Sequence, residues 1–226
     1  MKHLPTKPAS LLFAFLFLIP AAVMAQDSEI NYTYIEADYI NLDLDALGDS
    51  DNFVEDIDDG GGWGVLGSFA ISDSWFVFGS YSETEADASF IDDNEMLIPA
   101  DSDAKRFDVG IGFHAPLNEM ADWVVRAAYT DTDIDDFDFG ATEDEDLDDL
   151  FDDPSDGYFV DAAIRMQLMP ALEGKFGARY TDIEDNDDIS LLASALWEFT
   201  DNFALNLSGD FGDDVRLWRL GLRFGF

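Results

Sequence analysis

Few residues in this chain could carry reaction chemistry. It has two histidines, His3 and His114, and no cysteine, which excludes thiol catalysis, disulfides and a lipoprotein anchor. His3 belongs to a segment that reads as removable. His114 stands near Pro116 at the turn end of its strand, with no serine or acid placed beside it by spacing, and a catalytic histidine needs such a partner to orient it. We therefore expect no enzyme, no catalytic residue and no cofactor. What the chain holds in quantity is carboxylate. Thr142 to Asp153 reads TEDEDLDDLFDD, preceded by Asp131, Asp133, Asp135, Asp136 and Asp138. Hard cations such as calcium take about six to eight oxygen ligands, and alternate aspartates can supply them. No stretch has the fixed glycine and terminal glutamate of an EF-hand loop, so divalent cations at these acidic loops stay an option and no metal ligand is assigned. The simpler expectation is a solvated charged surface, screened by external salt.

The 226 residues carry 50 acidic side chains against 11 Lys plus Arg, a formal net charge of −39. Such a body repels nucleic acid and attracts divalent cations and basic partners. Disorder is not the explanation, because hydrophobic residues make up 47% and aromatics 14%, ample apolar surface to bury or to set against lipid. Residues 1–25 read as a signal peptide: Lys2 and Lys7 form a positive start, Leu11 to Ile19 a short apolar core, and Val23-Met24-Ala25 a cleavage site. The core is about half the length of a membrane-crossing helix. Residues 26–226 are expected to form one domain.

After that segment, runs of about ten residues with period-two alternation recur. The pattern predicts strands at Tyr32–Asp43, Gly62–Ile71, Ser74–Glu83, Lys105–Ala115, Ala121–Asp131, Gly157–Leu168, Ala171–Ile183, Ile189–Phe199, Asn202–Phe211 and Val215–Phe226. Tight turns at Ser72-Asp73, Pro116 to Met120, Met169-Pro170 and Thr200-Asp201 alternate with longer connectors. Leu44 to Gly61, Thr84 to Ala104 and Thr132 to Asp156 hold most of the acid.

The two faces of these strands differ in kind. One parity gives Trp63, Val65, Phe69 and Ile71, then Trp75, Val77 and Tyr81, then Phe107, Val109, Ile111 and Phe113, then Trp123, Val125 and Tyr129. Aromatics stand at both ends of these apolar rows, where lipid tails meet headgroups. The other parity gathers Glu36, Asp38, Asp108, Arg126, Asp161, Arg165, Glu173, Lys175, Arg179, Asp210, Arg219 and Arg223. A soluble sandwich has no reason to collect both signs of charge on one face, whereas a transmembrane barrel can turn them to its lumen. The fold expected is all-β: a single antiparallel up-and-down transmembrane β-barrel of about ten strands, with about eight as the alternative, short periplasmic turns and long acidic extracellular loops. Lumenal charges admit two readings, a paired plug or a small water-filled pore, and so narrow a barrel favours the plug.

The chain ends Leu220-Gly221-Leu222-Arg223-Phe224-Gly225-Phe226, and pieces such as Phe78-Gly79-Ser80-Tyr81 recur. In these it resembles the small outer-membrane β-barrel proteins of Gram-negative bacteria, the OmpA-like and OmpX-like superfamily. The resemblance implies that Phe224 and Phe226 form the signal read by the barrel assembly machinery. It also implies insertion as a monomer among outer-membrane lipid and lipopolysaccharide. No peptidoglycan-binding segment is expected after the barrel. The expected role is envelope structure or surface interaction through the acidic loops. A small porin-like channel for ions or solutes, or calcium-dependent adhesion, are the alternatives.

Overall fold

Side chains that alternate between apolar and polar cannot bury one face of a helix, so each such run extends and pairs with its neighbours. In the computed structural model, which describes residues 30–43, 54–57, 60–91, 97–134, 155–183, 186–212 and 216–226, they do so as eleven strands. These are β1 (Tyr34–Asp43), β2 (Val54–Ile57), β3 (Gly60–Ala70), β4 (Trp75–Ile91), β5 (Leu97–Asn118), β6 (Ala121–Ile134), β7 (Ser155–Met169), β8 (Leu172–Ile183), β9 (Asn186–Glu198), β10 (Phe203–Phe211) and β11 (Arg216–Gly225). Every pairing is antiparallel. Each barrel strand pairs with the next in the chain, and β1 pairs with β11 through Tyr34↔Gly225 to Asp43↔Arg216. That last pairing closes a ten-stranded up-and-down barrel and leaves it no free edge. β2 stands outside the ring, paired with β4 alone.

Both faces follow the expected parity. Val77 and Ile111 sit opposite each other across β4 and β5 and are 41% and 43% exposed on the outer wall. Phe69, Trp75, Trp123, Trp197 and Phe203 ring the turn end, while Tyr39, Trp63, Phe107, Tyr129 and Tyr158 ring the loop end, all outward and exposed. At the loop end the tyrosines are tied to carboxylates just above them. Tyr129 donates to Asp131 at 3.2 Å, and Tyr158 and Tyr180 both donate to Asp182, at 3.0 and 3.1 Å.

The connectors need correction. Thr84 to Ala104 is not a long loop: β4 and β5 stay in register as far as Ile91↔Leu97, forming a hairpin that projects past the tyrosine row. The reason is visible in Glu85-Ala86-Asp87-Ala88-Ser89-Phe90, which keeps the period-two alternation going. Leu44 to Gly61 likewise contains β2 and the first residues of β3, and β6 continues to Ile134. The expected signal peptide (residues 1–25), most of Thr132 to Asp156 and the whole acidic run Thr142 to Asp153 lie outside the described residues.

Candidate functional site

The lumen is where this chain concentrates chemistry, and the strand register decides which charges meet there. Asp161 on β7 sits opposite Arg126 on β6 and Arg179 on β8. Arg126 grips it with two nitrogens, Nη2 reaching Oδ2 at 2.7 Å and Nε reaching Oδ1 at 3.0 Å. Arg179 reaches the same Oδ2 at 3.3 Å and, with its other terminal nitrogen, Asp210 on β10 at 2.8 Å. Arg165 holds Glu173 through two bonds of 2.6 and 2.9 Å. Glu36 on β1 accepts from Arg223 on β11 and from Asn206 Nδ2 on β10, the latter at 2.6 Å. Asp108 accepts from Ser80 at 2.8 Å and from Arg106 at 3.0 Å.

The arginines are held on their faces as well as their edges. Arg126 lies over Phe78 at 5.2 Å, Arg165 over Tyr32 at 4.5 Å, Arg179 over Phe159 at 4.3 Å and Arg223 over Tyr34 at 3.8 Å, measured to ring centroids. A desolvated guanidinium gains about 2 kcal/mol over an aromatic face, and two-pronged carboxylate pairing fixes its plane. Together they offset part of the cost of taking these ions out of bulk water. Glycine makes room for the arrangement at two places. A side chain at Gly221 would run into Asp38 and Glu36, and one at Gly112 would occupy the ring of Phe76.

The turn end of the lumen is closed by the segment that precedes β1. Tyr32 stacks on Phe76 at 5.0 Å and on His114, and donates to Asp122 Oδ2 at 3.0 Å. Ile30 and Tyr32 pack with Phe76, Phe78, Val124, Ala128 and Phe159 into the apolar core of the barrel interior. The backbone of this segment is tied down too: Ser68 Oγ donates to the Tyr32 carbonyl at 2.8 Å and Arg165 reaches the Asn31 carbonyl at 3.4 Å. Above this layer a cavity of about 130 Å³ remains among the charged residues.

Glu36, Asp38, Asp108, Arg126, Arg165, Glu173, Lys175, Arg179, Asp210, Arg219 and Arg223 line this cavity, and Asp161 is buried beneath Arg126 and Arg179. Lys175 and Arg219 make no ion pair within 4 Å among the described residues. Sequence reasoning missed Arg106, Asp122 and the inward aromatics Tyr32, Tyr34, Phe76, Phe78 and Phe159. Arg106 shares the parity of Asp108 and could have been found from it. The expectation that His114 has no acid beside it is corrected, since Asp122 lies 3.3 Å from its Nδ1. The hairpin register Pro116↔Asp122 carried that signal. Tyr32 covers the pair, so imidazole and carboxylate serve to seat its ring. Among the described residues no group of three or more His, Asp or Glu is arranged to hold a metal ion. At the far wall Phe224 packs on Phe203 at 5.1 Å and on Phe226 at 5.9 Å.

Residues 11–211 match the family model described as outer membrane protein beta-barrel domain. No curated protein matches the chain at a significant level. Among solved structures, the outer membrane protein OprG from Pseudomonas aeruginosa is 12% identical, covering 90% of this chain and 99% of its own with a TM-score of 0.48. The KdgM porin is also 12% identical, covering 84% of this chain and 99% of its own with a TM-score of 0.47. The attachment invasion locus protein Ail of Yersinia pestis, in complex with the heparin analogue sucrose octasulfate, is 15% identical, covering 86% and 97% with a TM-score of 0.41.

Proposed function

Because the chain belongs to the outer membrane protein beta-barrel domain family, we propose that it is a closed, non-enzymatic barrel serving the bacterial envelope through its acidic, outward end. The observation that carries this reading is the lumen. Arg126, Arg165, Arg179 and Arg223 are each fixed by a carboxylate and a ring, and Tyr32 seats in the turn-end mouth. Ions locked in pairs with a covered entrance favour a plug over a conduit. The role is then exercised outside, where Glu83, Glu85, Asp103, Asp131, Asp133, Asp156, Asp182, Asp187 and Asp188 crowd the loop ends of the strands. Lipopolysaccharide bridged by divalent cations is the surface such an end would meet.

Planar-bilayer recording tests this reading. Purified barrel that adds no discrete openings supports the plug, and reproducible unitary currents overturn it in favour of a small porin-like channel. The channel reading has one observation on its side, the cavity of about 130 Å³ among lumenal charges. We also propose cleavage after Ala25 and a monomer assembled through the closing strand. Removing Phe226 would then abolish the heat-modifiable band of the folded protein on gels, and an unchanged band would remove that role.

A further inference from the structure

Antiparallel register brings four inward side chains into one row across adjacent strands. Lys175 on β8 faces Ser194 on β9, Ser194 faces Ser208 on β10, and Ser208 faces Arg219 on β11. The row spans about 14 Å along the inner wall, three strand spacings, and all four residues line the cavity of about 130 Å³. It is bounded by Arg165, already paired with Glu173, and by fully buried Ile40. No carboxylate interrupts it. Among the described residues the Lys175 ammonium and Arg219 guanidinium have no ion pair within 4 Å, and neither serine hydroxyl has a hydrogen-bond partner.

The neighbouring acids are committed elsewhere. Asp161 and Asp210 answer Arg126 and Arg179, and Glu36 answers Arg223. Asp38 is the carboxylate left on the Arg219 side, which leaves Lys175 with none of its own. Asp161 acts on the Lys175 ammonium only from beyond ion-pair distance. A cation held away from bulk water with no carboxylate in direct contact is costly, and here it stands beside hydroxyl donors and an open cavity. We infer that the row Lys175, Ser194, Ser208 and Arg219 is a binding site for a small oxyanion, of the class of inorganic phosphate, sulfate or a short carboxylate. Cations at both ends supply charge and the two hydroxyls between them supply neutral donors, the combination that charge-assisted recognition of such anions uses. A single water needs only about 10–15 Å³ of such cavity space, so the cavity has room for one such anion together with several waters of its hydration shell. The site does not depend on whether the barrel conducts.

Isothermal titration of the folded mature protein in detergent, in buffer free of competing anions, tests it with inorganic phosphate, sulfate and acetate as probes. One anion should bind per barrel, and Lys175→Met and Arg219→Met should each weaken it by at least about tenfold, the loss of one charged hydrogen bond. Preference for phosphate or sulfate over acetate assigns an inorganic oxyanion, and equal or tighter acetate binding assigns a carboxylate. Absence of binding by all three at millimolar concentration overturns the site, as does unchanged affinity in Lys175→Met. Should either cation variant fail to fold, Ser194→Ala combined with Ser208→Ala keeps the charges and removes the donors. Weakened binding there supports the site and undiminished binding overturns it.

Discussion

Tyr32 lies face to face with His114, ring centroids 3.8 Å apart and planes 15° from parallel, although the two residues come from the segment before the first strand and the turn end of the fifth. The contact turns an N-terminal approach to the barrel into a stopper. Three further partners hold the same ring: Asp122 at its hydroxyl, Phe76 at its other neighbour and Arg165 above it. Replacing Tyr32 with alanine removes all of them at once.

Tyr32→Ala should therefore lower stability by about 3 kcal/mol, as large-to-small changes in packed interiors do, and should free residues 30–33 while the strands persist. Limited proteolysis followed by mass spectrometry reads the segment, and urea unfolding reads the barrel. Equal protease resistance in the variant would mean that Tyr32 is not what seats the segment.

Asp161 answers two guanidinium groups and Arg126 answers one carboxylate, so the two positions are not equivalent. Asp161→Leu leaves two cations in the lumen without their shared partner and should cost about 3–5 kcal/mol, the range for breaking a buried pair from one side. Arg126→Leu should cost less, because Arg179 still faces Asp161. Unfolding midpoints in detergent or liposomes compare them, and a larger loss in Arg126→Leu would contradict the shared-acid geometry.

The outer wall makes its own demand. Val77 and Ile111 pair across β4 and β5 with both side chains outward, in the middle of the apolar band between aromatic rows. Arginine at either position should cost about 2–4 kcal/mol in a bilayer. Tolerance of both substitutions in liposomes would place that face away from hydrocarbon.

At Gly112 a methyl group would intrude on Phe76. Gly112→Ala should destabilise by about 1–3 kcal/mol through overpacking, and shrinking the facing ring in a Gly112→Ala/Phe76→Leu double variant should recover part of it. A thermodynamic cycle checks the coupling, and strictly additive losses would show that glycine and ring do not compete for the same space.

What the chain determines by itself is local. Period-two alternation between apolar and polar residues assigns Val77 and Ile111 to one face and Asp161 and Arg179 to the other. The aromatic ends of each run mark where hydrocarbon stops, because a side chain's face depends only on its place in its own strand. The same alternation in Glu85 to Phe90 announced that β4 would outrun the expected loop, although the density of acid there obscured it. Tertiary structure decided everything that depends on closure and register. Glu36 meets Arg223 only because β1 closes on β11, and Asn206 reaches that carboxylate from β10 across a sequence separation of 170. His114 gains Asp122 through hairpin register, and Lys175 is joined to Arg219 by serines because three successive pairings align them. Tyr32 shows the limit most plainly. No periodicity marks it as a plug, since its place inside the barrel is set by a wall that five other strands supply.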